Sequence, residues 1–251
     1  MEQSSVTQVM EAFANQVAVV TGASSGIGKA IALGLAAQGA TLCLVGRELE
    51  TLETVAEIAR STSPKVLSYR GDLTLDEDIR ELTICLQQDF GQIDLLVHSA
   101  GVISMGKLES APVEDLDLQY RSNVRAPYLL TQALLPMLKS CQGQIVFINS
   151  SVVLSARANV GQFAATQHAL KAIADSLREE VNADGVRVLS VFPGRTATPR
   201  QATLYKLEGR EYHPEVLLQP EDVAAVVINA LGMPRTAEVT NINIRPLLKS
   251  Y

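Results

Sequence analysis

Along most of the chain, short apolar runs alternate with longer stretches in which apolar positions recur every three or four residues. The runs at 16–21 (QVAVVT), 41–45, 65–69, 93–98 (IDLLVH), 144–149 (QIVFIN) and 186–191 are largely apolar and rich in β-branched residues. Strands that are apolar on both faces are buried on both faces, as in a parallel sheet. The stretches at 26–37, 48–60, 75–90, 113–138 and 161–182 carry helical periodicity; in 75–90, Leu75, Ile79, Leu82 and Leu86 share one side. Strands that alternate with helices of this length imply right-handed βαβ units. The expected fold is therefore α/β, a doubly wound parallel sheet with helices on both faces. No repeat or linker interrupts the pattern, so 16–251 reads as a single domain behind an N-terminal extension at 1–15. One irregular stretch, 193–220, holds four prolines and scattered charges. An excursion of that length forms a lid or binding lobe more often than a spacer, and 194–218 is expected to cover a substrate. Its mix of Arg200, Leu204, Tyr205, Arg210 and Tyr212 identifies no substrate class.

Composition narrows this picture. The 251 residues are 47% hydrophobic and 19% charged, enough for a large core, and the net charge is −6 with no Lys/Arg block. Binding to nucleic-acid backbones is not expected. Cys43, Cys85 and Cys141 lie far apart without C-x-x-C spacing. They fit neither a disulfide framework nor a zinc site, and read as buried free thiols in a reducing compartment. The first sixteen residues hold two Glu and no Lys or Arg, unlike a targeting peptide. No apolar run approaches the ~20 residues that span a bilayer. A cytoplasmic protein without membrane or metal partners is the expectation.

The chemistry begins after the first strand, which runs into Thr21-Gly22-Ala23-Ser24-Ser25-Gly26-Ile27-Gly28 and then a helix. Glycines there permit a tight turn and let a pyrophosphate approach the backbone, and the helix N-terminus adds free N–H groups and a positive dipole end. The second strand ends in Val45-Gly46-Arg47, with no acid to bond the ribose hydroxyls of NAD. A guanidinium suits a phosphate, so Arg47 favours NADP(H) over NAD(H), the alternative being a solvated cation at a helix entry. Asp72, followed by Leu73, could accept from an adenine amino group or simply serve as a turn residue.

These residues resemble the short-chain dehydrogenase/reductase family over nearly the whole chain. The resemblance rests on Thr21-Gly22-x-x-x-Gly26-x-Gly28, Asp72-Leu73, His98-Ser99-Ala100-Gly101, Asn123, Ser150 and Pro193-Gly194-x-x-x-Thr198, in the family's order and spacing. It implies a Rossmann-type fold of about seven parallel strands, with NAD(P) across the C-terminal edge and hydride exchange with a small-molecule carbonyl or alcohol. Cofactor contacts are expected from Gly22, Ser24, Ser25, Gly26, Ile27, Gly28, Arg47, Asp72, Leu73, Ser99, Ala100, Gly101, Gln167, Pro193, Gly194, Thr196 and Thr198. Subunit pairing through 113–138 and 161–182, in a homodimer or homotetramer, is implied as well.

The chain also departs from the family. The catalytic positions fall on Asn123, Ser150, Phe163 and Gln167, where the family has Asn, Ser, Tyr and Lys. Phe163 has nothing to ionise, and the Gln167 amide, able to bond a ribose hydroxyl, has no charge to lower a neighbour's pKa. Loss of a placed acid/base group costs about 10²–10⁴ in rate. The expectation is an NADP(H)-dependent oxidoreductase with weak turnover. The alternative is an inactive NADP(H)-binding pseudoenzyme acting as sensor or scaffold, natural or engineered. His98 stands where the family has Asn and reads as a core histidine before a substitute proton donor. Tyr120 and Tyr128 read as packing residues, and His168 as a surface side chain.

Overall fold

Val17–Thr21 (β1) is buried at all five positions, and the alternation of its side chains explains why. Ala18 and Val20 face one apolar layer while Val17 and Val19 face another. The computed structural model describes residues 12–248, so most of the expected N-terminal extension, residues 1–11, lies outside the described residues. The elements that follow are Gly26–Ala36 (α1), Thr41–Gly46 (β2), Leu49–Ala59 (α2), Val66–Arg70 (β3), Asp76–Asp89 (α3) and Leu95–His98 (β4). Val113–Tyr120 (α4), Ala126–Ser140 (α5), Gln144–Ile148 (β5), Gly161–Val181 (α6) and Arg187–Pro193 (β6) come next. Pro199–Leu207 (α7), Pro220–Leu231 (α8) and Asn241–Ile244 (β7) complete the order.

The seven strands form one parallel sheet in the order β3-β2-β1-β4-β5-β6-β7. This is the expected doubly wound α/β architecture. One face packs against α1, α2 and α8 through residues such as Ile31, Leu35, Leu52 and Val227. The other packs against α3, α5 and α6 through Leu82, Leu86, Leu130, Leu134 and Leu170. At Gly34, α1 meets α8 closely: a Cβ there would lie 2.2 Å from Ile228 Cδ1, the end of a side chain that would have to turn aside.

The structure corrects several sequence expectations. The helix read as continuous over 113–138 is two helices joined by a π-helical turn, Arg121–Arg125, and it ends at Ser140. Periodicity alone does not register a turn that holds one extra residue. The stretch read as irregular contains α7, whose N-cap Thr198 accepts from Gln201 N at 3.2 Å. β7 escaped because its NINI pattern alternates between exposed and half-buried positions, as an edge strand does. Of the three free thiols only Cys43 is fully buried, its pKa pushed up by that burial. Cys141 is partly buried and donates to Ile93 O at 3.1 Å, with burial first among the causes that raise its pKa to about 11.

Candidate active site

The strand order reverses between β1 and β4, and a cleft of about 1230 Å³ opens at the C-terminal ends of the strands there. A crevice at such a switch point is where open α/β sheets bind ligands. All of the residues expected at the site, from Gly22 to Thr198, line this one cleft.

Its floor is held by Thr21, at the end of β1. The Thr21 hydroxyl accepts from Ser99 N and Ala100 N, both at 3.1 Å, and donates to Val97 O at 3.3 Å. The glycine turn is thereby locked against the loop after β4. A Cβ on Gly22 (φ 65°) would meet Ala100 Cα at 2.9 Å, and one on Gly28 would meet Gly22 O at 2.4 Å. The side chain of Ser25, the N-cap of α1, makes no capping bond, which leaves the first-turn N–H groups open to a ligand. A backbone cradle that any side chain would fill, closed by a free helix N-terminus, fits the pyrophosphate of a nicotinamide dinucleotide.

At the β2 end of the cleft, Arg47 is exposed, lines the cleft and has no carboxylate partner among the described residues. Asp72 takes the turn role expected of it. Its Oδ1 accepts from Thr74 N at 3.0 Å and Thr74 Oγ1 at 2.8 Å, a turn arrangement, while the residue still lines the cleft.

At the other end, Asn123 sits in the π-helical turn as a brace. Its Oδ1 accepts from Val102 N and its Nδ2 donates to Val102 O, both at 2.8 Å, and Nδ2 also donates to Thr166 Oγ1 at 3.1 Å. One side chain therefore ties the loop after β4 to α6. Asn149 Nδ2 donates to Gln167 O at 3.0 Å and thereby joins the end of β5 to the same helix. Ser150 Oγ accepts from Val152 N at 3.2 Å, which leaves its O–H to donate into the cleft. Gln167 is only 4% exposed and lines the cleft, yet its side-chain amide bonds no described residue. A buried amide left open toward a cleft is a place for a ligand hydroxyl. Phe163 lines the same wall and carries no proton to give.

The substitute proton donors fall away. His98 Nε2 pairs with Thr131 Oγ1 at 2.8 Å, its ring stacks on Phe147, and burial lowers its pKa to about 3. It is a neutral core histidine although it borders the cleft. His168 is exposed on α6, with Nδ1 against Ala164 O at 2.8 Å. Tyr120 and Tyr128 do not line the cleft, and at 51% and 48% exposure they are not core packing residues either. Sequence reasoning missed the braces Asn149 and Thr166, and it missed how the arginines gather. Arg47, Arg157, Arg195, Arg200, Arg210 and Arg245 line the cleft against Asp72 and Glu208, a surplus of four positive charges in a chain of net charge −6. Arg195 is held by Glu208 through a two-point contact at 2.7 and 2.9 Å.

Fold and site together define a nucleotide-binding α/β protein with its ligand crevice at the sheet's switch point. A family model described as short chain dehydrogenase matches residues 16–208. The chain belongs to the short-chain dehydrogenase family, an oxidoreductase family that binds nicotinamide cofactors. It is 35% identical over 233 residues to a protein of Staphylococcus epidermidis named an uncharacterized oxidoreductase, covering 92% of this chain and 97% of that one. A metagenomic short-chain oxidoreductase in complex with NADP is 30% identical, with a TM-score of 0.82 over 95% of this chain and 100% of that one. An alcohol dehydrogenase of the archaeon Thermococcus sibiricus, complexed with 5-hydroxy-NADP, is 27% identical, with a TM-score of 0.84 over 94% and 98%.

Proposed function

We propose that the chain binds NADP(H), in preference to NAD(H), in this cleft and is an oxidoreductase of small carbonyl or alcohol compounds whose own turnover is weak. The bound cofactor supplies hydride exchange with the substrate. The glycine cradle of Gly22, Gly26 and Gly28 takes the pyrophosphate, Arg47 the 2′-phosphate, and Gln167 a ribose hydroxyl. The Ser150 hydroxyl donates to the substrate oxygen and orients it. Asn123, spent on Val102 and Thr166, holds the wall rather than a proton. Nothing at 163 delivers a proton, and the only neighbouring imidazole is neutral and bonded to Thr131. The open Gln167 amide beside Phe163 carries this reading, since it keeps the place for a ribose while the acid and the cation are both missing. Names of similar proteins bound to NADP support the cofactor. In the same reading the protein is cytoplasmic, and subunits pair through α4, α5 and α6, with Leu118, Tyr120 and Tyr128 exposed for contact.

The test is the double revertant Phe163→Tyr with Gln167→Lys, assayed for NADPH oxidation over a panel of carbonyl compounds. A gain of about 10²–10⁴ over the unmodified protein is expected. Equal turnover in the two proteins would refute weak activity through a missing pair. NADP⁺ binding with no gain in the revertant would turn the reading toward a sensor or scaffold.

A further inference from the structure

Arg200 stands outside the residues that the proposed cofactor site uses. It is the second residue of α7, in the lobe, yet its Nη2 donates to Gly101 O at 2.5 Å, spanning ninety-nine positions of sequence. The bond bridges the cleft from the lobe to the loop after β4. A carbonyl is a poor terminus for a full positive charge, and Arg200 has no carboxylate partner among the described residues. Its surroundings are cationic as well. Although the residue as a whole stays exposed, protein crowding around the guanidinium and then the Arg47 cation lower its pKa. Two guanidiniums that line one cleft, neither paired with an acid among the described residues, are stabilised by an anion placed there.

The backbone nearby shows where that anion would come from. The lobe meets the glycine turn at Thr198, whose Cγ2 lies 3.0 Å from where a Gly26 Cβ would be. Arg200 follows two residues later, so it leaves the lobe beside the phosphate cradle. Its long side chain then crosses the cleft toward the floor that Thr21 fixes.

We propose that Arg200 is a phosphate ligand for the dinucleotide, supplied by the lobe and acting opposite Arg47, and that it exchanges the Gly101 carbonyl for a cofactor phosphate when NADP(H) binds. The proposal rests on the NADP(H) reading above. Cofactor binding and placement of the lobe are then one event, because the residue that grips the phosphate belongs to the element that covers the substrate side.

The experiment measures dissociation constants of NADP⁺ and NAD⁺ for the unmodified protein, Arg200→Gln and Arg200→Lys. Arg200→Gln is expected to weaken NADP⁺ by about 10- to 100-fold, as loss of a charge-assisted pair does, and Arg200→Lys to recover part of it. A loss confined to NADP⁺ assigns the 2′-phosphate, and a similar loss for both cofactors assigns the diphosphate; either supports the proposal. Unchanged constants in Arg200→Gln overturn it and leave Arg200 as a latch on Gly101. If the unmodified protein binds neither cofactor, the NADP(H) reading fails first and takes this one with it. A measurement on the unmodified chain guards against misfolded variants. NADP⁺ should slow tryptic cleavage after Arg200 more than cleavage after Lys206 in the same lobe, and equal protection of both would count against the contact.

Discussion

At the scale of single residues, Phe163 and Gln167 carry the proposed function and one histidine records its surroundings. Phe163 and Gln167 line the cleft wall and carry neither an acid nor a cation, which is why the proposed function expects weak turnover. His98 shows the opposite case, an ionisable group at the cleft made inert by burial. Its ordinary value of 6.5 falls to about 3 in the folded protein, so below pH 6.5 the unfolded chain binds a proton that the folded one refuses. Stability from this residue is intact above pH 6.5 and is lost as pH drops from there toward 3. Between pH 7 and 5 the loss should be about 2 kcal/mol. His98→Asn should remove that increment, so denaturant titrations at the two pH values should converge for the variant. Identical pH dependence in both proteins would mean His98 is not held neutral by the fold.

At the scale of elements, the glycine turn and the π-helical turn do the positioning. Gly28, in the first turn of α1, lies so close to the preceding turn that a side chain would strike Gly22 O at 2.4 Å, and that obstacle is backbone. Gly28→Ala should destabilise the protein by about 1–3 kcal/mol and weaken NADP⁺ binding, measured by melts and titration. A variant as stable and as tightly bound as the parent would show that the turn yields easily. The π-helical turn between α4 and α5 rotates Asn123 toward Val102 and Thr166, where three bonds hold the loop after β4 to α6. Sequence shows an Asn in a helix; only the inserted residue in the turn aims it. Such turns often stand at functional sites. The lobe helix α7 was hidden for a different reason. It is only nine residues long, it begins with a proline, and among its residues only Tyr205 is buried, so no apolar face marks it.

At the scale of the whole molecule, charge is distributed against the net balance, with arginines gathered at one large cleft in an acidic chain. A ligand that binds the folded form alone stabilises it by mass action. NADP⁺ at 100 times its dissociation constant should therefore add about 2.7 kcal/mol, a rise of roughly 5–10 °C in melting temperature for a chain this long. Absence of any shift at millimolar NADP⁺ would count against the cofactor reading. The α/β class, the parallel sheet and the phosphate turn could all be read from the chain alone, because buried strands, helical periodicity and glycine spacing are local patterns. The identities of Phe163 and Gln167 were legible too, and the reading of them as a missing acid and cation remains part of the proposal. Three features required the folded molecule. These are the neutrality of His98, the brace at Asn123, and the crossing of Arg200 to Gly101, each of which depends on neighbours 33, 43 and 99 positions away. Burial and contact between such distant residues exist only once the sheet has closed, and no periodicity along the chain encodes them.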